Sequence, residues 1–150
     1  MTESTASAAA ALAATLHLPT RAMIGGRPAD AASGATFPTI NPATGEELAQ
    51  IADCGAEDVD RAVAAARHAF EGPWSTMRPG ERKRLLLRFA SLIEAHATEL
   101  ATIETLEGGK PIADTASIDL VETIEVIRWH AEAADKLNDE LTPSGPGVVS

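Results

Sequence analysis

The chain has 150 residues, with 12 Lys+Arg against 22 Asp+Glu and a formal net charge of −10. Apolar residues at 45% and charged residues at 23% are globular values that argue against wholesale disorder, and the acidity argues against a nucleic-acid or anionic-membrane binder, which needs clustered Lys and Arg. One cysteine, Cys54, excludes an internal disulfide and any multi-Cys metal site, and fits a reducing cytoplasm.

A chain of this length suggests one domain burying roughly 70% of its unfolded surface. No apolar run approaches the roughly 20 residues of a membrane helix. Residues 1–20 are Ala-rich, and Glu3 is their only charge before Arg21. Without a basic start they read as a flexible or partly helical leader, not as a signal peptide. Met23-Ile24-Gly25-Gly26-Arg27-Pro28 places a Gly-Gly turn between two short extended pieces. Thr36 to Ile40 is β-branched and Pro-containing, a strand that turns at Asn41-Pro42-Ala43-Thr44-Gly45. Glu46 to Ala52 reads as the returning strand.

The pattern then becomes helical. Gly55-Ala56-Glu57-Asp58 puts carboxylates in a first turn, where the helix dipole favours them. Val59, Val63, Ala66 and Phe70 form one apolar stripe that Gly72-Pro73 ends. A second helix starts at Pro79. Leu85, Leu86, Phe89, Leu92, Ile93 and His96 trace its apolar face, which Leu100, Ile103 and Leu106 extend to the stop at Gly108-Gly109. A third helix runs from an Asp114 N-cap to Leu137, with Leu120, Ile124, Ile127, Ala131 and Ala134 on one stripe. The expectation is a short β-meander followed by three amphipathic helices. A meander this short leaves its edges open, which marks an incomplete domain.

The chemistry in the sequence is sparse. Cys54 precedes a helix, a setting that can activate a thiol, but Asp53 opposes a thiolate and no His is near. His17, His68, His96 and His130 form no HxxxH pair, so no zinc site is visible. His96 and His130 read as packing residues that hydrogen-bond locally. Gly108-Gly109-Lys110-Pro111 fails as a phosphate loop, because Glu104 stands at the first glycine position and Pro111 at the Ser/Thr position. It reads as a helix cap and turn. The basic residues from Arg78 to Arg88 read as a solvated helix face. On chemistry alone the chain assembles no active site.

Several segments, in order, resemble the N-terminal part of the NAD(P)-dependent aldehyde dehydrogenase family. They are Ile24-Gly25-Gly26, Asn41-Pro42-Ala43-Thr44-Gly45-Glu46, Ala62 to Ala66 with Phe70, Trp74-Ser75, Arg82 through Leu87, Glu104 through Pro111, and Arg128 through Lys136. The stretches GKPIAD and IRWHAEAADK look most like the branch acting on amino- or γ-glutamylamino-butyraldehydes. The resemblance covers about Arg21 to Ser150. It implies an α/β fold in which residues 21–137 are an incomplete part of a Rossmann-like NAD(P)-binding domain, and 138–150 begin an oligomerisation segment.

The resemblance also implies an enzyme that oxidises a small (amino)aldehyde to the carboxylate, with NAD or NADP as cofactor, usually as a homo-oligomer. The family's oxyanion Asn, cofactor glycine motif, general-base Glu and nucleophilic Cys are expected beyond Ser150. No residue of this chain therefore inherits a catalytic or cofactor-binding role, Cys54 included, and the chain alone is expected to be inactive and to bind no cofactor. One site carries over. Similar members bind K+ or Na+ through two carbonyls before the Asn-Pro turn and an acidic residue before the GKP turn, here Thr39, Ile40 and Glu107. Glu107 stands where the family often has Asp. Two other readings stay open: a stand-alone acidic helical interaction module, and a gene remnant.

Overall fold

The structure is a computed structural model that describes residues 12–13 and 15–136. Most of the expected leader and all of the expected oligomerisation segment 138–150 lie outside these residues.

Strands β1 (Ala22–Ile24) and β2 (Arg27–Ala29) form an antiparallel hairpin with Met23 opposite Pro28. Gly25 and Gly26 have φ of +59° and +76°. A two-residue hairpin turn with positive φ at both positions matches the twist of the strands, and glycine adopts that geometry at both without a Cβ penalty. Strands β3 (Thr36–Ile40) and β4 (Glu47–Ala52) form a second antiparallel pair, with Phe37 opposite Ile51 and Thr39 opposite Ala49. Asn41 Oδ1 accepts the Ala43 N–H at 2.9 Å, and the Gly45 N–H donates to the Asn41 carbonyl at 2.7 Å.

The strands form two separate two-stranded sheets, not the continuous meander that the sequence suggests. Pro28 and Pro38 interrupt the hydrogen-bond donors of β2 and β3, so these strands are poor templates for a further neighbour. The segment between them turns at Gly34, whose N–H donates to the Ala31 carbonyl at 2.8 Å.

Helix α1 (Ala56–Ala69) begins after extended Gly55. Its buried Asp58 is 3% exposed. That carboxylate accepts the Gly55 N–H at 3.0 Å and, from 26 residues away, the Ala32 N–H at 3.0 Å; Arg61 lies at 3.2 Å. One side chain thus caps the helix and fastens it to the hairpin region. At the other end α1 passes into a π turn, Phe70–Trp74, where Gly72 leaves helical geometry at φ −94° and ψ −116°.

Helix α2 (Pro79–Ala95) starts with Pro79 in its first turn, and Glu81 accepts the Arg78 N–H at 2.9 Å. The sequence predicts one helix from here through Leu106. The structure breaks it at His96 (φ −108°, ψ 16°), and α3 (Ala97–Gly108) follows. His96 Nδ1 lies 3.2 Å from Glu99, a side-chain pair across the new first turn. The break turns α3 so that Ala101 and Thr102 are buried.

The last helical run also differs from expectation. It opens at Ile112 after extended Pro111, and Asp114 has helical dihedrals in place of the expected cap. The turn α4 (Ile112–Asp114), a π turn Thr115–Asp119 and helix α5 (Leu120–Ala133) follow one another without leaving right-handed helix. Buried Thr115 ties this run to α3, its hydroxyl 3.0 Å from that of Thr105.

Helices α2 and α5 make the main contact of the helical half. Ala90 and Ala131 are both 0% exposed, with Leu120 and Ile124 at 7%. Lys83 Nζ donates to Glu132 at 2.7 Å and Asp135 at 3.3 Å, while Arg128 donates to Glu94 at 2.6 Å. The reversed order of these pairs fixes an antiparallel arrangement.

The α5 stripe faces inward as its spacing requires. The α2 stripe is divided: Leu86, Ala90 and Ile93 turn inward, while Leu85, Phe89 and Leu92 are about half exposed. Val59 and Val63 on α1 and Phe70 at the start of the π turn are also exposed. Arg78, Arg84 and Arg88 are solvated as expected. Arg82 and Lys83 depart from that reading: Arg82 lies over the Trp74 ring and donates to the Trp74 carbonyl at 2.8 Å, and Lys83 holds α5.

Replacing Asp58 with Ala removes the acceptor of two N–H groups and should lower unfolding stability by about 2–3 kcal/mol, with D58N intermediate. Chemical denaturation reads this; unchanged D58A stability contradicts the tie. Hydrogen bonds from Lys83 and Lys136 hold the Glu132 carboxyl below its ordinary value of 4.5, and those from Glu132 and Asp135 raise Lys83 above 10.5. The Glu132 contribution is complete above the ordinary carboxyl value and is lost as pH falls through the lower folded value. The Lys83 contribution is complete below 10.5 and is lost as pH rises through its raised value. Between about pH 6 and pH 3 the native chain should lose more stability than E132Q. Thermal melts across that range test it, and parallel curves refute it.

Candidate functional site

Sequence-distant motifs meet where the Asn-Pro turn reaches the C-terminal end of α3. Thr39, on β3, donates its hydroxyl to Glu107 Oε1 at 3.2 Å across 68 residues of sequence. Gly109 ends α3 in the left-handed region at φ +70°, and its N–H donates to the Thr105 carbonyl at 3.0 Å. A Cβ there would lie 2.9 Å from Pro42 Cγ. Glycine is thus required twice, by the turn and by the close approach of the Asn-Pro loop.

The structure therefore brings together Thr39 and Glu107 of the expected cation site. Ile40 is the last residue of β3, next to Thr39 and opposite Glu47. The local field is negative, because Glu107 sits in the last turn of α3, where free carbonyls and the helix dipole favour cations. Lys110 does not neutralise it. Its ammonium turns to Asp119 at 2.7 Å, and that hydrogen bond raises its pKa above the ordinary 10.5. Glu107 has no ion pair among the described residues. Carbonyl and carboxylate oxygens, the donor types that Thr39, Ile40 and Glu107 offer, are those a hard cation prefers. No three His, Cys, Asp or Glu side chains converge among the described residues.

The remaining sequence candidates stay apart. Cys54 is exposed in the link between β4 and α1, and the described hydrogen bonds join no base to it. His130 Nδ1 lies 2.9 Å from the Val126 carbonyl, and its ring meets Trp129 edge-on at 4.9 Å, a local contact as expected. His96 and His130 are both exposed, however, and do not pack as the sequence predicts. An apolar groove of about 520 Å³ runs between α2, α3 and α5, lined by Phe89, Leu92, His96, Leu100 and Leu120 among others. Sequence reasoning missed two anchoring residues. Asp58 was legible only as a first-turn acid, though its spacing from Gly55 signals a cap. Gly109 was legible as a cap, but no local signal announces Pro42 against it.

The paired hairpins and the helix array match the N-terminal portion of a recognised fold. The aldehyde dehydrogenase family pattern matches residues 29–150, and the chain belongs to that family of oxidoreductases. It is 54% identical over 142 residues to an aminoacetaldehyde dehydrogenase of Pseudomonas aeruginosa, aligning 94% of this chain with 29% of that protein. The solved gamma-glutamyl-gamma-aminobutyraldehyde dehydrogenase of Burkholderia cenocepacia is similar at TM-score 0.89 and 44% identity, covering 92% of this chain and 28% of that one. An indole-3-acetaldehyde dehydrogenase of P. syringae, solved in complex with NAD+, gives TM-score 0.88 and 43% identity over the same shares. The chain thus spans less than a third of the length of these relatives.

Gly109→Ala combines left-handed strain with the Pro42 contact and should cost about 1–3 kcal/mol. Gly108→Ala, with an ordinary φ and open space around it, should cost less. Comparing the two by thermal unfolding tests the junction, and equal losses count against it.

Proposed function

We propose that the chain is the N-terminal segment of an NAD(P)-dependent aldehyde dehydrogenase that oxidises an amino-aldehyde to its carboxylate. The observation that carries this reading is the 54% identity to an aminoacetaldehyde dehydrogenase over 142 residues that make up only 29% of that relative. The likeness to the gamma-glutamyl-gamma-aminobutyraldehyde enzyme supports the same substrate class, an aldehyde with an amine or amide nitrogen on a short aliphatic chain.

Oxidation of an aldehyde to an acid needs a nucleophile, a hydride acceptor and a base that activates water. The described residues assemble no such set, since Cys54 is exposed and no base is hydrogen-bonded to it. The half-exposed side chains Val59, Val63, Phe70, Leu85, Phe89 and Leu92 support a segment that works within a longer polypeptide. In this reading residues 21–137 serve a Rossmann-like NAD(P)-binding domain, and 138–150 lead into an oligomerisation segment of a homo-oligomer. A single cysteine supports a cytoplasmic setting. Thr39, Ile40 and Glu107 hold K+ or Na+ in this reading, and the ion pins the Asn-Pro turn to the end of α3.

Purified residues 1–150 should form no NADH or NADPH from aminoacetaldehyde or γ-aminobutyraldehyde. A polypeptide extended to the relatives' length should oxidise these in preference to unsubstituted alkyl aldehydes. Reduced cofactor made by the short chain and lost in Cys54→Ala overturns the first part; the opposite preference overturns the second. For the cation, exchanging K+ or Na+ for a bulky quaternary ammonium at constant ionic strength should lower the melting temperature of the native chain but not of Glu107→Gln. Indifference of the native chain to the exchange removes the site.

A further inference from the structure

We draw no further inference here: the strongest candidate, the apolar groove between α2, α3 and α5 lined by Phe89, Leu92, His96, Leu100 and Leu120, carries nothing beyond the reading already proposed, because nothing in the structure shows what covers it.

Discussion

Ala90 on α2 and Ala131 on α5 are completely shielded from solvent, and their small side chains let the two helices approach closely. Leu120 and Ile124 are buried further along α5, and the ion pairs Lys83–Glu132 and Arg128–Glu94 set the direction of the two helices. Close packing of this kind tolerates neither a longer side chain nor a void without cost. The arrangement of α3 follows from it, because the π turn before α5 holds buried Thr115 against Thr105. The end of α3 in turn places Glu107 and Gly109 where the Asn-Pro loop can reach them.

The strand half depends on fewer, more polar ties. Asp58 joins α1 to the stretch before β3, and Gly109 against Pro42 joins the second hairpin to α3. The Asp58 tie satisfies the backbone N–H groups of Ala32 and Gly55, and the Gly109–Pro42 tie is a steric fit that only glycine allows, so both are specific where the scattered apolar contacts are not. Together they carry the Thr39–Glu107 contact, a side-chain meeting set by two secondary-structure ends and not by any local sequence pattern.

Membership of the aldehyde dehydrogenase family rests on the family pattern that matches residues 29–150, a stretch that holds most of the short motifs carrying the sequence resemblance. The structure gives several of them a physical reason. Gly25-Gly26 supplies a turn with two positive φ values, Asn41 caps its own loop, and Gly109 meets a proline ring. Other motif residues have a purely structural role. Arg82, read from sequence as a solvated cation, covers Trp74 and holds the end of the π turn. The stripes of α1 and α2 explain why apolar residues recur at helical spacing although this chain leaves many of them half exposed.

By itself the sequence determined the element types, the two hairpin turns, the start of α1 and α2, and the inward stripe of α5. These depend on local dihedral preference, capping and periodicity, which act over a few residues. Only the tertiary structure decided that the strands form two separate sheets and that a helix breaks at His96. It also decided which half of the α2 apolar face is covered, and that the Thr39 hydroxyl itself bonds Glu107, where the family resemblance implied only that the two share a site. Each of these outcomes turns on a partner tens of residues away, and a local pattern states that a face is apolar without stating what will lie against it.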